Sequence, residues 1–220
     1  MDQWDWQVAR EVSPALLGGL WITIKVTLVG ITLAMALGLA FALLRRSKLR
    51  IVSWPTSFVI EFIRSTPLLI QLFFLFFVMP RYGLRLDAFE TGVLALGVHY
   101  ATYTSEVYRS GIESVPKGQW EASTALSLST FDTWTRVVLP QAVPRVIPAL
   151  GNYLVAMFKD APLLAVIALQ DVLGEARRIC SREFTCLEPY TLTGVYFLAV
   201  SVPAAIFVRL LEARYGRATA

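Results

Sequence analysis

The chain has 220 residues, 56% of them hydrophobic and 16% charged, with a formal net charge of +4. A soluble domain carries closer to ~25% charged residues, so lipid is the expected solvent, and basic residues lying beside apolar tracts read as topology signals and not as a nucleic-acid footprint. One His and two Cys supply neither a metal-ligand cluster nor a nucleophile with its base, which argues against a membrane enzyme.

The leader MDQWDWQVAREVSP is acidic where a cleavable signal peptide is basic, so the first hydrophobic helix is expected to stay in place, with the Trp-bearing leader at the outer interface. An uncharged apolar tract over residues 26–44 approaches the ~20 residues a helix needs to cross the hydrocarbon core, and it ends at RRSKLR. A second helical region opens near Trp54 and Pro55 and contains Pro67, which removes a backbone donor and clashes with the preceding turn. Two geometries fit: one kinked helix, or an interfacial helix to Arg64 followed by a span over residues 67–79. The second is preferred, because it spares Glu61 and Arg64 the cost of a charge near the bilayer centre. Residues 91–105, 143–158 and 189–208 bring the count to five spans.

Between the third and fourth spans lies a polar, weakly amphipathic stretch, GQWEASTALSLSTFDTWTRVVLPQA, read as two short helices. Pro116 stands near the start of the first, where a missing amide does no harm, and Ser129 with Asp132 fits a capping box opening the second. An interfacial loop and a docking element for a soluble partner both fit this pattern. A further interruption, FKDAPLL, sets Lys159, Asp160 and Pro162 among apolar residues; a broken helix at membrane depth is tolerated only against protein or a wet cavity.

Eleven Lys and Arg fall on one set of alternating loops and six on the other. This excess places the N-terminus outside, the C-terminus inside and the stretch around residues 115–138 in the cytoplasm. Cys180 and Cys186 then lie in an external loop, where a disulfide and two unpaired thiols are equally open.

Within the third span His99, Tyr103 and Glu106 share one helical face, as a pathway lining or as a structural network with Glu106 paired to Arg109 or Arg64. Lys159 and Asp160 point about 100° apart on an intact helix and need separate partners, either a zwitterionic ligand or the break itself. Asn152 faces the pathway or a neighbouring helix.

The stretch from Gly118 resembles the EAA loop of the permease subunits of bacterial ATP-binding-cassette importers: Glu121, Ala122 and Leu139-Pro140 match its pattern. FIRSTPLLIQLFF, YTSEVYRSGI and IPALGNYLVAMFKDAPLL are similar to the polar amino-acid and ectoine-type branch, and the likeness covers most of residues 54–164. Ser127 stands where the family has Gly, so the turn must form without a residue that reaches positive φ cheaply. Ala161 and Pro162 replace small hydroxyl residues.

The resemblance implies an all-α polytopic bundle, a type I importer permease formed by one transmembrane domain over residues 1–220, in the bacterial cytoplasmic (inner) membrane. Its implied partners are cytoplasmic ATPase subunits, a second permease, identical or paralogous, an external solute-binding protein and membrane lipid. The cargo would be a polar amino acid or a related zwitterionic compatible solute. Gly118, Glu121, Ala122, Ser127, Leu139 and Pro140 would couple to the ATPases. His99, Tyr103, Glu106, Asn152, Lys159 and Asp160 would line the pathway. No G-x-x-x-x-G-K-[ST] phosphate loop occurs, so ATP and Mg would be bound by the partner ATPase and no cofactor by this chain. A self-sufficient secondary carrier or channel is the alternative, weakened by the absence of visible inverted repeats.

Overall fold

The carboxylate of Asp5 accepts the amide of Gln7 and starts a helix, α1, that runs over Trp6–Arg45. This computed structural model describes residues 4–216, which form helices and their connections with no strand among them. The 40 residues of α1 extend about 60 Å, twice the thickness of a hydrocarbon core. The described part of the leader is thus no separate interfacial segment. Ala9, Val12, Leu16 and Gly19 recur at helical spacing and are buried; Val12 and Leu16 pack on Val172, Ala176 and Ile179. The apolar side of this described part packs against protein.

α2 (Arg50–Arg64) stops before Pro67, and α3 (Leu68–Phe73) continues through a π turn over Phe74–Val78 and a 3-10 turn over Met79–Tyr82. The two rods meet at 100°, the geometry of an interfacial helix followed by a span. α4 (Ala88–Glu113) opens with a reciprocal capping box between Asp87 and Glu90.

α1 and α4 share the most extensive helix–helix contact among the described residues. Gly30, Ala34 and Gly38 repeat at four-residue spacing on α1, opposite Gly97, Ala101 and Ser105 at the same spacing on α4, the small-residue pattern that lets helix backbones approach in lipid. A Cβ on Gly38 would stand 2.9 Å from the Ala101 carbonyl oxygen, and Thr104 Oγ1 donates to the Ala34 carbonyl at 2.8 Å. The core around this crossing joins Val26, Ile31 and Leu96 to Leu72, Met157 and Leu164.

α5 (Lys117–Ala125) is followed by a turn in which Ser127 takes φ +51°. The expected second short helix is not separate. A three-residue turn, α6 (Thr130–Asp132), passes through a π turn over Thr133–Val138 into α7 (Leu139–Asp160) and a 3-10 segment over Ala161–Ile167. Pro140 has no amide for an α-helical bond one turn back, and the wider turn carries the chain past it. Ala168, at φ +59°, ends the 3-10 segment. α8 (Val172–Glu183) and α9 (Leu187–Gly216) follow.

Among the described residues α1, the rod over Thr130–Ile167 and α9 are long and apolar enough to cross a membrane alone, and the bent α2–α3 pair qualifies as a fourth. α4 has 26 residues, about 39 Å, and lies outside that group. It has the length, but its polar face dilutes its hydropathy. Arg217, counted in reading the topology, and the first three residues of the leader lie outside the described residues.

Candidate translocation site and coupling surface

The polar face of α4 meets the two helix breaks. His99 Nδ1 lies 3.2 Å from Gln71 Oε1, and the Gln71 amide nitrogen donates to the carbonyls of Ile63 at 2.8 Å and Thr66 at 2.9 Å. Gln71 therefore occupies acceptors freed where Pro67 interrupts the helix. At the other break the Tyr100 hydroxyl donates to Asp160 Oδ2 at 2.7 Å.

Tyr100, Tyr103 and Tyr153 surround this point. Their ring centroids are 6.1 Å apart for Tyr100 and Tyr103, 6.1 Å for Tyr100 and Tyr153, and 5.8 Å for Tyr103 and Tyr153. The Arg64 guanidinium sits 5.2 Å from the Tyr103 centroid. A carboxylate beside three aromatic rings attracts a cation, and a guanidinium at the rim attracts an anion.

Towards the α5 end of α4, Glu106 gathers arginines from three helices. It pairs with Arg45 of α1 and with Arg109 at 2.7 Å, while Arg64 of α2 stands 3.9 Å away. Arg109 also pairs with Glu113 at 2.6 Å. The hub combines the two pairings considered for Glu106 and adds Arg45. Arg64 connects it to the aromatic box.

Of the expected pathway residues, the structure brings His99, Tyr103 and Asp160 together with Glu106 adjoining them. Asn152 goes elsewhere: its amide donates to Glu212 Oε1 of α9 at 2.7 Å, so it faces the neighbouring helix. Lys159 is exposed and in no ion pair, with Asp160 or any other carboxylate, among the described residues. Gln71, Tyr100 and Tyr153 were missed. Tyr153 precedes Asp160 by seven residues, two helical turns on one face, and that spacing was a usable signal.

The EAA-like stretch is held from behind. Trp120 of α5 meets Trp134 edge-on at 5.6 Å, and both cover a cluster of Ile112, Val115, Val138 and Ala142. Gly118, Glu121 and Ala122 are left on the exposed side of α5, with Ser127 exposed in the turn and Leu139 and Pro140 exposed at the start of α7. At the opposite end of the bundle Cys180 and Cys186 are joined by a disulfide between α8 and the start of α9.

Membrane-length helices, a polar box at two helix breaks and a clamped helix pair with a free outer face define a membrane transport permease. Residues 27–217 match the family described as binding-protein-dependent transport system inner membrane component. The chain is 47% identical over 204 residues to a probable amino-acid ABC transporter permease of Sinorhizobium fredii, covering 93% of this chain and 88% of that one. It is 30% identical to the glutamine transport system permease of Escherichia coli, over 96% of this chain and 98% of the other. A solved structure described as an amino acid ABC transporter with histidines superposes with TM-score 0.90 at 30% identity, covering 97% of this chain and 100% of that one. The inward-facing MetNI methionine transporter shares the fold at TM-score 0.71 and 19% identity, over 93% and 96% of the respective chains.

The chain belongs to the inner membrane component family of binding-protein-dependent transport systems. It is a multi-pass permease subunit of an ATP-binding-cassette importer and not an enzyme; the family works with ATPase and binding-protein partners.

Proposed function

We propose that the chain forms half of the pathway for a polar amino acid or a related zwitterionic solute, as one transmembrane unit paired with a second, identical or paralogous permease. The box of Tyr100, Tyr103, Tyr153 and Asp160 carries this reading. An α-ammonium group would lie against the Asp160 carboxylate and the ring faces, and the substrate carboxylate would turn towards Arg64. Glu106, 3.9 Å from Arg64, helps place that guanidinium, a positioning role rather than a contact with the substrate.

The α5 end faces the cytoplasm in this reading, with the N-terminus outside and the C-terminus inside, as the Lys and Arg distribution directs. Gly118, Glu121 and Ala122 form the face that docks on an ATPase, which binds ATP and Mg. Motion there reaches α7 through the Trp120–Trp134 contact and the continuous helical rod from Thr130 to Asp160. Named relatives that carry glutamine and cystine favour an amino-acid cargo.

The test is uptake by proteoliposomes holding the complete complex, with a panel of amino acids competing for entry. Uptake should require ATP, and Glu121→Ala should weaken ATPase co-purification or uncouple hydrolysis from uptake. In intact cells a cysteine at Gly118 should be shielded from impermeant thiol reagents and one at Arg85 labelled. Entry without ATP, or labelling in the reverse sense, contradicts the reading.

A further inference from the structure

The turn between α1 and α2 carries cations that no acidic side chain among the described residues neutralises. No Asp or Glu occurs between Glu11 and Glu61. Arg46, Lys48 and Arg50 fall inside that interval, all exposed, and none forms an ion pair among the described residues. Arg45, next to them, is occupied by Glu106.

The helix that follows exposes an apolar stripe. Ile51, Trp54, Phe58 and Phe62 recur at intervals of three and four residues, and Trp54 is 74% exposed. The rings of Trp54 and Phe58 stack at 6.4 Å and those of Phe58 and Phe62 at 6.3 Å. Ile60 is buried and fixes which side of α2 meets the bundle. The 100° bend sets α2 crosswise to α3. With α3 along the bilayer normal, α2 lies in the plane of the membrane surface, its stripe against acyl chains and the cations of the turn at headgroup level.

We propose that this turn binds an anionic phospholipid. Lys48 and Arg50 hold the headgroup phosphate, while Trp54 and Phe58 lie along the acyl chain. Charge complementarity selects the occupant: three cations without counter-ions recruit anionic over zwitterionic lipid. The site also touches the coupling surface, because the Arg46 guanidinium lies 5.8 Å from the Trp134 ring, which packs on Trp120 of α5. Lipid at the turn therefore bears on the element that meets the ATPase.

The proposal rests on the membrane-spanning reading above but not on the substrate, the ATPase or the orientation. Its test therefore reads lipid retention alone, with no uptake, hydrolysis or sidedness measured. The complete complex is purified in detergent and titrated with phosphatidylglycerol or phosphatidylcholine, and retained lipid is counted by native mass spectrometry. The expected preference for phosphatidylglycerol is roughly tenfold to thirtyfold, falling to about threefold or less in Lys48→Gln/Arg50→Gln and kept in Lys48→Arg. Equal retention of the two lipids, or a preference the double variant leaves unchanged, overturns the proposal. In vesicles, phosphatidylglycerol with brominated chains should quench a part of the tryptophan emission that Trp54→Phe removes. If Trp54 emission does not respond, the stripe is covered by a second permease and the proposal fails.

Discussion

At Pro67 the helix turns through 100°, and a side chain, Gln71, closes the gap by donating to the Ile63 and Thr66 carbonyls. At Pro162 the chain keeps its course, tightening from α to 3-10 over Ala161–Ile167, with Pro162 at the start of the new segment, where its missing amide is not needed. The first break is held by a polar side chain, which becomes structural and is less free for a ligand. The second is held by backbone, which leaves Asp160, among the described residues, with only the Tyr100 hydroxyl and free to receive a substrate cation. One residue type thus yields a brace at one break and a binding group at the other, according to which atoms take up the interrupted hydrogen bonds.

The two breaks should separate first by pH. The Pro162 segment leads to Asp171, a fully buried carboxylate that caps α8 through the Gly174 amide at 2.8 Å, with its second oxygen unpartnered among the described residues. Burial pushes this carboxyl up to about 7 from the ordinary 3.8. Since the folded value lies above the unfolded one, the stability it contributes is fully present below pH 3.8 and is lost as the pH rises to about 7. The whole interval corresponds to about 4 kcal/mol. The melting temperature of the wild type should fall between pH 5 and pH 8. Asp171→Asn, which keeps a capping oxygen, should show a smaller slope and exceed the wild type at pH 8. Gln71 itself carries no titratable proton, so Gln71→Ala should lower the profile at acid and at neutral pH alike, whereas Asp171→Asn acts chiefly on its slope.

Gln71→Ala itself leaves the Thr66 carbonyl without its donor and the Ile63 carbonyl with the Thr66 amide alone, and should cost about 2 kcal/mol, read as a lower melting temperature with reduced uptake following from it. Ser127 supplies a calibration. It holds φ +51° without being glycine, so Ser127→Gly should stabilise by about 1 kcal/mol in thermal unfolding and leave uptake unchanged. The smallest effect belongs to Pro162→Ala, within about 0.5 kcal/mol. A large loss there would mean that proline, and not the 3-10 backbone, holds the second break.

Much of this was readable from local chemistry. Pro67 announced its break, and Ser129 and Asp132 announced a helix start, because prolines and caps act within one turn of chain. Gln71 was not legible: its value lies in carbonyls five and eight residues back, which become acceptors only after the helix bends. Asn152 and Tyr153 show the same limit, since adjacent residues on α7 face different neighbours and the choice depends on where α4 and α9 pack. Small residues at positions 30, 34 and 38 did carry the α1–α4 crossing in their spacing, and a reading centred on charges and prolines passes over them.

The most direct test of the account is the initial rate of ATP-driven amino-acid uptake in proteoliposomes holding the complete complex with Asp160→Asn. The account predicts a fall of roughly tenfold or more, about 1.4 kcal/mol, with melting temperature and ATPase co-purification unchanged, and N-acetylation of the substrate abolishing wild-type uptake. Wild-type uptake by the Asp160→Asn complex would contradict a pathway in which this carboxylate receives the substrate ammonium.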